Sequence, residues 1–313
     1  MKDKYNRTIN YMRLSVTDKC NFNCKYCLPD PGVVQHSNAL SFGEYLKICL
    51  ACVELGVDKI RITGGEPLVR KGIINFCEKV SEIKGLKQLA MTTNGSLLSQ
   101  FAKELKSAGV SRLNISLDTL NEEKFKAITN TDCLNNVLNG IYCAQSQGFD
   151  DIKINVVLID SFNIDEINDF VLLTKDNDIT IRFIELMPIG ATKYWEKSKF
   201  VGADIVLQKC PELSRVSFDG VSELYEVEGY KGKIGLIRPV SNKFCSLCNK
   251  IRITSDGKIK TCLHSDDEFN LSGLSDKELK EVILEAITNK PYSHNISSVC
   301  FSSTKRFMNQ IGG

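Results

Sequence analysis

The segment Lys59-Ile60-Arg61-Ile62-Thr63, which runs directly into Gly64-Gly65, decides the predicted fold. Its β-branched apolar residues alternate with polar ones, and this period of two indicates a strand with one apolar and one polar face. The segments Arg112–Asp118 and Lys153–Ile159 alternate in the same way. A face covered by helices must be apolar, so the polar face is predicted to line a barrel lumen that holds a ligand. The alternative is a sheet with one face open to solvent.

Six strand segments of this kind alternate with amphipathic helical segments as far as about residue 190. The predicted strands are Arg13–Thr17, Lys59–Gly64, Gln88–Asn94, Arg112–Asp118, Lys153–Ile159 and Thr180–Leu186. The predicted helices are Phe42–Leu55, Gly72–Ile83, Gln100–Ala108, Cys133–Gln147 and Ile164–Asp176. A closed barrel has eight units and an apolar filling. Six units with a polar lumen therefore predict an α/β fold, an open, partial βα barrel over residues 1–190.

The pattern changes at about residue 191, after Pro188 and Gly190. We expect a smaller α+β domain over residues 191–313 that closes one side of the barrel. Its predicted elements are strands at Lys233–Arg238, Lys250–Thr254 and Lys258–Cys262 and a helix at Asp276–Ile287.

The composition narrows the class of protein. The 313 residues are 42% hydrophobic and 25% charged, with 40 Lys and Arg against 38 Asp and Glu, which excludes a disordered chain and a global basic field. We therefore expect neither nucleic acid nor a membrane as a partner. The N-terminus lacks the apolar region of a secretory signal, so a cytoplasmic location is predicted. Thirteen cysteines in that reducing compartment indicate metal or redox chemistry rather than disulfides.

The first cysteine cluster, Cys20-x3-Cys24-x2-Cys27, directly follows the first predicted strand. Three thiolates on a short loop can bind three irons of a 4Fe–4S cube and leave the fourth iron for an exogenous ligand. Zinc is the alternative, but structural zinc sites use four protein ligands and no histidine lies near this triplet.

The second cluster, Cys245-x2-Cys248-x13-Cys262, again has three cysteines. Its alternative is a zinc site completed by His264. The remaining seven cysteines are expected to be small hydrophobic residues, mostly buried.

The polar strand faces are rich in cations. The predicted lumen carries Arg13, Lys59, Arg61, Lys153 and Arg182. Buried cations need partners, and a nucleoside triphosphate with about four negative charges would satisfy them. The alternative is internal pairing with Glu66, Asp118 and Glu185. The chain has no Gly-x4-Gly-Lys-Ser/Thr loop, so this is not a P-loop site.

The motifs together resemble known enzymes. The first triplet with Tyr26, and Gly64-Gly65-Glu66-Pro67 at the end of the second strand, resemble the radical S-adenosylmethionine (SAM) superfamily. The whole chain resembles the GTP 3′,8-cyclase family of molybdenum cofactor biosynthesis. That resemblance rests on the second triplet and on Arg13–Asp18, Lys59–Pro67, Thr92–Asn94, Asn114–Asp118, Lys153–Asn155, Ile181–Glu185 and Lys250–Arg252.

The resemblance implies two 4Fe–4S clusters and SAM as cofactors. The first cluster would be held by Cys20, Cys24 and Cys27, and the second by Cys245, Cys248 and Cys262. The SAM contacts would be Tyr26, Gly65, Glu66, Ser116 and Met187. The GTP contacts would be Arg13, Arg61, Thr92, Lys153, Lys250, Ile251 and Arg252. Lys250 stands where the family usually has arginine, so its role is less firmly implied than that of Arg252.

The reaction that the resemblance implies begins with cleavage of SAM to a 5′-deoxyadenosyl radical. This radical takes the ribose 3′ hydrogen of GTP, and the sugar radical adds to carbon 8 of guanine. The product would be (8S)-3′,8-cyclo-7,8-dihydroguanosine 5′-triphosphate. Expected partners are a flavodoxin- or ferredoxin-type electron donor, cyclic pyranopterin monophosphate synthase as the next enzyme, and a second copy in a homodimer.

Gly312-Gly313 matches the family pattern and is predicted to enter the lumen and position GTP for catalysis. Its alternatives are a disordered terminus and a thiocarboxylate carrier.

Other functions remain open at this point. A radical SAM enzyme that modifies a peptide is the nearest rival. An iron–sulfur electron carrier or a zinc-stabilised binding module belongs to a different class, and neither has a use for Gly64–Pro67 or for a cationic lumen.

Overall fold

The computed structural model of the chain describes residues 1–28, 38–297 and 300–312. The strands are β1 Tyr11–Ser15, β2 Lys59–Thr63, β3 Gln88–Thr93, β4 Arg112–Ser116, β5 Ile152–Leu158, β6 Ile179–Glu185, β7 Ser214–Asp219, β8 Ser222–Glu226, β9 Lys233–Ile237, β10 Lys250–Ile253, β11 Lys258–Lys260 and β12 Phe269–Asn270. The α-helices are α1 Phe42–Glu54, α2 Ile73–Ser81, α3 Leu98–Ser107, α4 Glu122–Thr129, α5 Leu134–Ser146, α6 Ile167–Leu172, α7 Ile205–Lys209, α8 Asp276–Thr288 and α9 Met308–Ile311.

Strands β1 to β6 form the parallel βα array that the sequence predicts. They lie in chain order and pair in parallel from β1 to β6. The five predicted helices correspond to α1, α2, α3, α5 and α6, whereas α4 was not predicted. This helix begins after Asn121, whose side chain accepts a hydrogen bond from the Lys124 amide at 3.0 Å. The α/β fold with an open, partial barrel is confirmed, because the sheet does not close on itself.

The C-terminal part of the chain extends this sheet at both edges. Strand β10 pairs in parallel with β1, and β9 pairs in parallel with β6. The sequence predicted closure of one side only; pairing between strands so far apart in the chain leaves no local signal. The predicted domain boundary between residues 190 and 191 stays a prediction.

No helix in the described ranges is long and apolar enough to cross a membrane.

The alternation in β2 explains why the two faces of the sheet differ. Ile60 and Ile62 are fully buried in the hydrophobic core beneath the helices. Arg61 and Thr63, on the opposite side, are also buried, with exposed fractions of 3% and 1%. The interpretation of a sheet with one solvent face is therefore wrong: the polar face is enclosed.

The last described residues are fastened to this sheet by an arginine. Arg306 donates from Nε to Glu268 at 2.5 Å and from Nη2 to Asp256 at 2.9 Å. These charge-assisted bonds place α9 and Gly312 against the barrel.

We predict that Gly140→Ala lowers the melting temperature, although alanine normally stabilises a helix by about 1 kcal/mol relative to glycine. A Cβ on Gly140 would lie 2.5 Å from the carbonyl oxygen of Gly95 and 3.1 Å from Leu98 Cβ. Overpacking of this kind costs about 1–3 kcal/mol. The control is Asn136→Ala on the exposed face of α5, which should melt at or slightly above the parent temperature. Equal melting of Gly140→Ala and the parent would contradict the packing.

Candidate active site

A cavity of about 330 Å³ lies on the polar face of the sheet. Nine cationic side chains line it: Arg7, Arg13, Lys59, Arg61, Lys153, Arg182, Lys250, Arg252 and Lys290. Asp219 is the only carboxylate among the described lining residues. All five cations predicted for the lumen are in this set, so the prediction of a cationic lumen is confirmed.

The cations in this cavity repel one another, and the pKa values of the groups between them are shifted. Burial and the neighbouring Arg252 lower the pKa of Arg13 to about 9. Burial alone would raise the pKa of Tyr11, but Arg61 and Arg13 outweigh it and hold that pKa at about 7. Arg61 Nε donates to the Tyr11 hydroxyl at 2.5 Å, while Arg13 Nε is buried without a hydrogen-bond partner. An excess of buried positive charge with unused donors is the chemistry of an anion site.

The acids that the sequence offered as counter-ions do not serve that purpose. Glu66, Asp118 and Glu185 are buried but form no salt bridge with any cation in the described ranges. Their hydrogen bonds run instead to Leu68, Thr93 and Asn94 for Glu66, to Tyr26 and Val157 for Asp118, and to Ala203, Val240 and Ser241 for Glu185. The interpretation of internal pairing by these three acids is wrong, because backbone amides and hydroxyls already occupy their oxygens.

Two acids that sequence reasoning missed pair with part of the cluster. Asp219 lies 2.8 Å from Lys153 Nζ and 2.5 Å from Arg182 Nη2. Burial would raise the pKa of Asp219, but these two cations hold it at about 2. Asp151 bridges Lys153 at 2.7 Å and Arg112 at 2.8 Å. Asp219 sits at the end of β7, and nothing in the local sequence indicates what that turn faces.

The other predicted nucleotide residues divide between the two sheet faces. Lys250 and Arg252 point from β10 into the cavity, and burial lowers the pKa of both. Ile251, between them, lies in the hydrophobic core, so its side chain is not available to a ligand in the cavity. Thr92 lies outside the cavity lining, but its hydroxyl is buried without a partner.

Lys290 is a further cation that the sequence did not identify. It is 1% exposed, and its Nζ donates to the carbonyl of Lys250 at 2.9 Å and to that of Thr261. It therefore braces the two strand ends that carry the second cysteine cluster.

The first cysteine triplet occupies the loop after β1. The Sγ of Cys20 accepts hydrogen bonds from the Phe22 amide at 3.3 Å and from Asn94 Nδ2 at 3.8 Å. Burial raises the pKa of Cys20 to about 11 and that of Cys27 to about 12, so free thiols are favoured until a metal displaces their protons. Polarised N–H groups directed at sulfur suit an iron–sulfur cluster.

The Gly64–Pro67 turn is built against the same loop. The Gly65 amide donates to Thr17 O at 2.7 Å, and the Glu66 amide donates to Lys19 O at 2.8 Å. A Cβ on Gly65 would overlap Lys19 O and lie 2.7 Å from the Asp18 carbonyl. Only glycine permits this approach, which fixes the chain that leads into Cys20.

The remaining predicted SAM residues lie nearby or along the cavity. Tyr26 donates to Asp118 Oδ2 at 2.7 Å. Ser116 is half-buried at the end of β4, and Met187 lines the cavity.

The second triplet lines the cavity itself. Cys248 precedes β10 and Cys262 follows the antiparallel β11, so the hairpin brings them to one end, where Cys245 joins them. Burial would raise the pKa of Cys248, but Lys290 and Lys250 outweigh it and leave that pKa below its ordinary value. These thiolate-favouring charges fit a metal cluster.

His264 does not complete a zinc site with these cysteines. Its Nδ1 lies 3.1 Å from Ser302 Oγ, and its ring packs edge-on against His294. In the described ranges no group of three His, Cys, Asp or Glu side chains is spaced to hold a single metal ion. A cube places each thiolate on a different iron, which requires a wider spacing than one ion does.

Gly312 is placed where strands β1 and β2 end. Its carbonyl accepts a hydrogen bond from Arg252 Nη1 at 2.6 Å, and its φ is +75°. A Cβ on Gly312 would overlap Thr63 Oγ1. Gly313 lies outside the described residues.

Solved structures share this fold. Streptococcus suis SuiB matches 92% of the chain and 68% of its own length with a TM-score of 0.63 at 17% identity. HydG, a maturase of the [FeFe]-hydrogenase, matches 64% of the chain and 48% of its own length with a TM-score of 0.51 at 16% identity.

Sequence comparisons are more specific. Residues 14–174 match the Radical SAM superfamily and residues 179–296 match Molybdenum Cofactor Synthesis C. A GTP 3′,8-cyclase of Peptoclostridium acidaminophilum is 49% identical over 99% of the chain and 98% of its own length. Another, from Alkaliphilus oremlandii (strain OhILAs), is 44% identical over the full length of both. The chain therefore belongs to the GTP 3′,8-cyclase family of radical SAM proteins.

Proposed function

We propose that the chain catalyses the first step of molybdenum cofactor biosynthesis, as a GTP 3′,8-cyclase with SAM and two 4Fe–4S clusters. The observation that carries this proposal is the cavity with nine cations, whose wall contains the second cysteine triplet. The first triplet follows β1, whereas Cys245 and Cys248 precede β10, its parallel neighbour. The two triplets therefore lie at opposite ends of one polar sheet face, with the cavity beside it.

Cys20, Cys24 and Cys27 would hold the first cluster, and SAM would complete its fourth iron. Tyr26, Gly65, Glu66, Ser116 and Met187 are the proposed SAM contacts. Glu66 supports this role indirectly, because it ties the Asn94 amide at 2.6 Å and Thr93 Oγ1 at 2.8 Å to the Gly64–Pro67 turn.

Cys245, Cys248 and Cys262 would hold the second cluster, whose open iron faces the guanine. The proposed GTP contacts are Arg13, Arg61, Thr92, Lys153, Lys250, Ile251 and Arg252. Ile251 can contribute through its backbone only, since its side chain is in the core. The arginines offer forked donors to phosphate, and the Arg13 Nε without a partner is one such donor.

The first cluster, held by Cys20, Cys24 and Cys27, would supply together with SAM the radical chemistry that removes the ribose 3′ hydrogen and joins carbon 3′ to guanine carbon 8. One electron and one proton would then complete the dihydroguanine product. The residues of the chain orient the nucleotide and keep water out. Fixing the triphosphate in the cationic cavity holds the ribose in one position, and such positioning supplies much of the advantage of an enclosed site. Gly312, held by Arg252 at 2.6 Å, would close the cavity beside the ribose.

Several finer features belong to the same proposal. The electron would come from a flavodoxin- or ferredoxin-type donor in the cytoplasm, and cyclic pyranopterin monophosphate synthase would take the product.

The active form would be a homodimer. In each copy, residues 1–190 would form the SAM domain and residues 191–313 the domain of the second cluster.

The function is tested by incubating the anaerobically reconstituted protein with GTP, SAM and dithionite and analysing the products by mass spectrometry. We expect 5′-deoxyadenosine and a cyclic nucleotide of the same mass as GTP. SAM cleavage without any GTP-derived product would contradict the proposal.

We predict that Cys24→Ala abolishes SAM cleavage but keeps the second cluster. The wild type should bind about eight irons and the variant about four, because each cube holds four. Iron and sulfide analysis with electron paramagnetic resonance spectra measures this. A variant without iron, or a wild type that binds zinc alone, would contradict the two-cluster assignment.

We predict that Arg252→Ala weakens GTP binding without affecting SAM cleavage in the absence of GTP. Losing a buried charge-assisted bond should cost about 1.5–3 kcal/mol. Equilibrium dialysis with GTP gives the dissociation constant. Lys233→Ala, at an exposed position of β9, is the control and should bind GTP as the wild type does. Unchanged GTP affinity with normal turnover in Arg252→Ala would refute its role.

We predict that Gly312→Ala reduces product formation at least about tenfold, a loss of about 1.4 kcal/mol in transition-state stabilisation, while cluster content stays intact. The added methyl would collide with Thr63. Gly273→Ala is the matched control, since Gly273 also has a positive φ, +78°, but its Cβ would meet open space. Normal product yield from Gly312→Ala would refute the positioning role.

A further inference from the structure

The turn between β7 and β8 forms part of the cavity wall. Residues Asp219, Gly220, Val221 and Ser222 all line the cavity. Gly220 has a φ of +62°, which lets the chain reverse between Asp219 and Ser222 and directs both side chains inward. We call residues 219–222 the hairpin tip.

The hairpin tip supplies the one carboxylate among the described lining residues, and it contacts two cavity cations, of which Lys153 is a proposed GTP contact. Asp219 Oδ2 is 2.8 Å from Lys153 Nζ and 2.5 Å from Arg182 Nη2. The two cations are nearly buried, with exposed side-chain fractions of 7% and 11%, whereas Asp219 is 35% exposed. Solvent therefore reaches the carboxylate more readily than the cations that it neutralises.

Two further polar atoms beside this contact have no partner. Arg182 Nε and Ser222 Oγ are both buried without a hydrogen bond. Buried donors without partners at the wall of a cavity usually mark the place of a ligand. An oxygen-rich anion at this position would satisfy both donors and would use the same cations as Asp219.

We propose that Asp219 occupies a phosphate position of the GTP site in the nucleotide-free protein, so that the hairpin tip sets the affinity for the triphosphate by competing for Lys153 and Arg182. This inference rests on the proposed function. Lys153 also pairs with Asp151 at 2.7 Å, so Asp219 is the counter-ion on which Arg182 depends and the second one for Lys153. Buried cations with too few counter-ions are costly, and the tethered carboxylate lowers that cost until the nucleotide arrives. The triphosphate carries more charge, displaces Asp219, and gains Arg182 Nε and Ser222 Oγ as further donors.

Equilibrium dialysis under anaerobic conditions with the fully reconstituted protein tests this competition. The probes are GTP, inorganic tripolyphosphate and guanosine, and the variants are Asp219→Asn and Asp219→Ala. Removing the competing charge should lower the dissociation constants of GTP and tripolyphosphate by about three- to tenfold and leave that of guanosine unchanged. Glu226→Gln, which removes one negative charge from the same hairpin outside the cavity, is the control and should change none of them.

The possible results distinguish a failure of the proposed function from a failure of the proposed competition by Asp219. A wild type that does not bind GTP overturns the proposed function. A wild type that binds GTP, with Asp219 variants that bind it equally or more weakly at wild-type iron content, overturns the competition. Weaker binding would mean that Asp219 positions the cations instead. Tighter binding that Glu226→Gln reproduces would mean a general charge effect and would also overturn it.

Discussion

The structure depends on the electrostatic cost of placing nine cations around one cavity, where Asp219 is the only carboxylate in the part of the lining that the structure describes. Repulsion within this set is visible in the pKa of Arg13, held at about 9 by burial and by Arg252. Folding tolerates such a site more readily where cations are braced by the backbone or by a counter-ion, although Arg13 Nε has no hydrogen-bond partner. Arg61 is braced by Tyr11 and by the Met91 carbonyl, and Lys290 by two carbonyls.

The edge strands also connect the two cysteine triplets. Strand β10 pairs in parallel with β1. Cys245 and Cys248 precede β10 and the first triplet follows β1, so the two triplets lie at opposite ends of this strand pair. Arg13 and Arg252 are register partners on these strands, so the cations stand between the two triplets. A nucleotide held by those cations would have one end near each triplet.

The sequence predicted those features that depend on local pattern. The period-two alternation in Lys59–Thr63 located a strand and also separated its core face from its cavity face. It did not predict β7, a short strand in which only Val216 and Phe218 alternate with polar residues and which is largely exposed. It also offered the wrong counter-ions, because hydroxyls and backbone amides occupy the oxygens of Glu66 and Asp118. Asp219 reaches Arg182 across 37 residues of chain, and such a contact is decided by tertiary packing alone.

The cysteine spacing was informative for a different reason. Both triplets are short-range patterns whose chemistry depends on ligand number, so the sequence alone implied open metal positions. The sequence pattern did not predict the hydrogen bond from Lys290 to the Lys250 carbonyl, because this contact forms only when the chain after α8 packs against β10. The cysteines proposed to hold the clusters were thus evident from the sequence, whereas the contacts of Lys290 beside them were not.

We expect the cavity to present the ribose of GTP to the 5′-deoxyadenosyl radical. The transferred hydrogen can be followed with GTP that carries deuterium at ribose carbon 3′ and the reduced, fully reconstituted protein. The 5′-deoxyadenosine formed should carry the deuterium, and the cyclic product should have lost it from carbon 3′. Unlabelled 5′-deoxyadenosine formed together with a product that retains the deuterium at carbon 3′ would contradict this expectation.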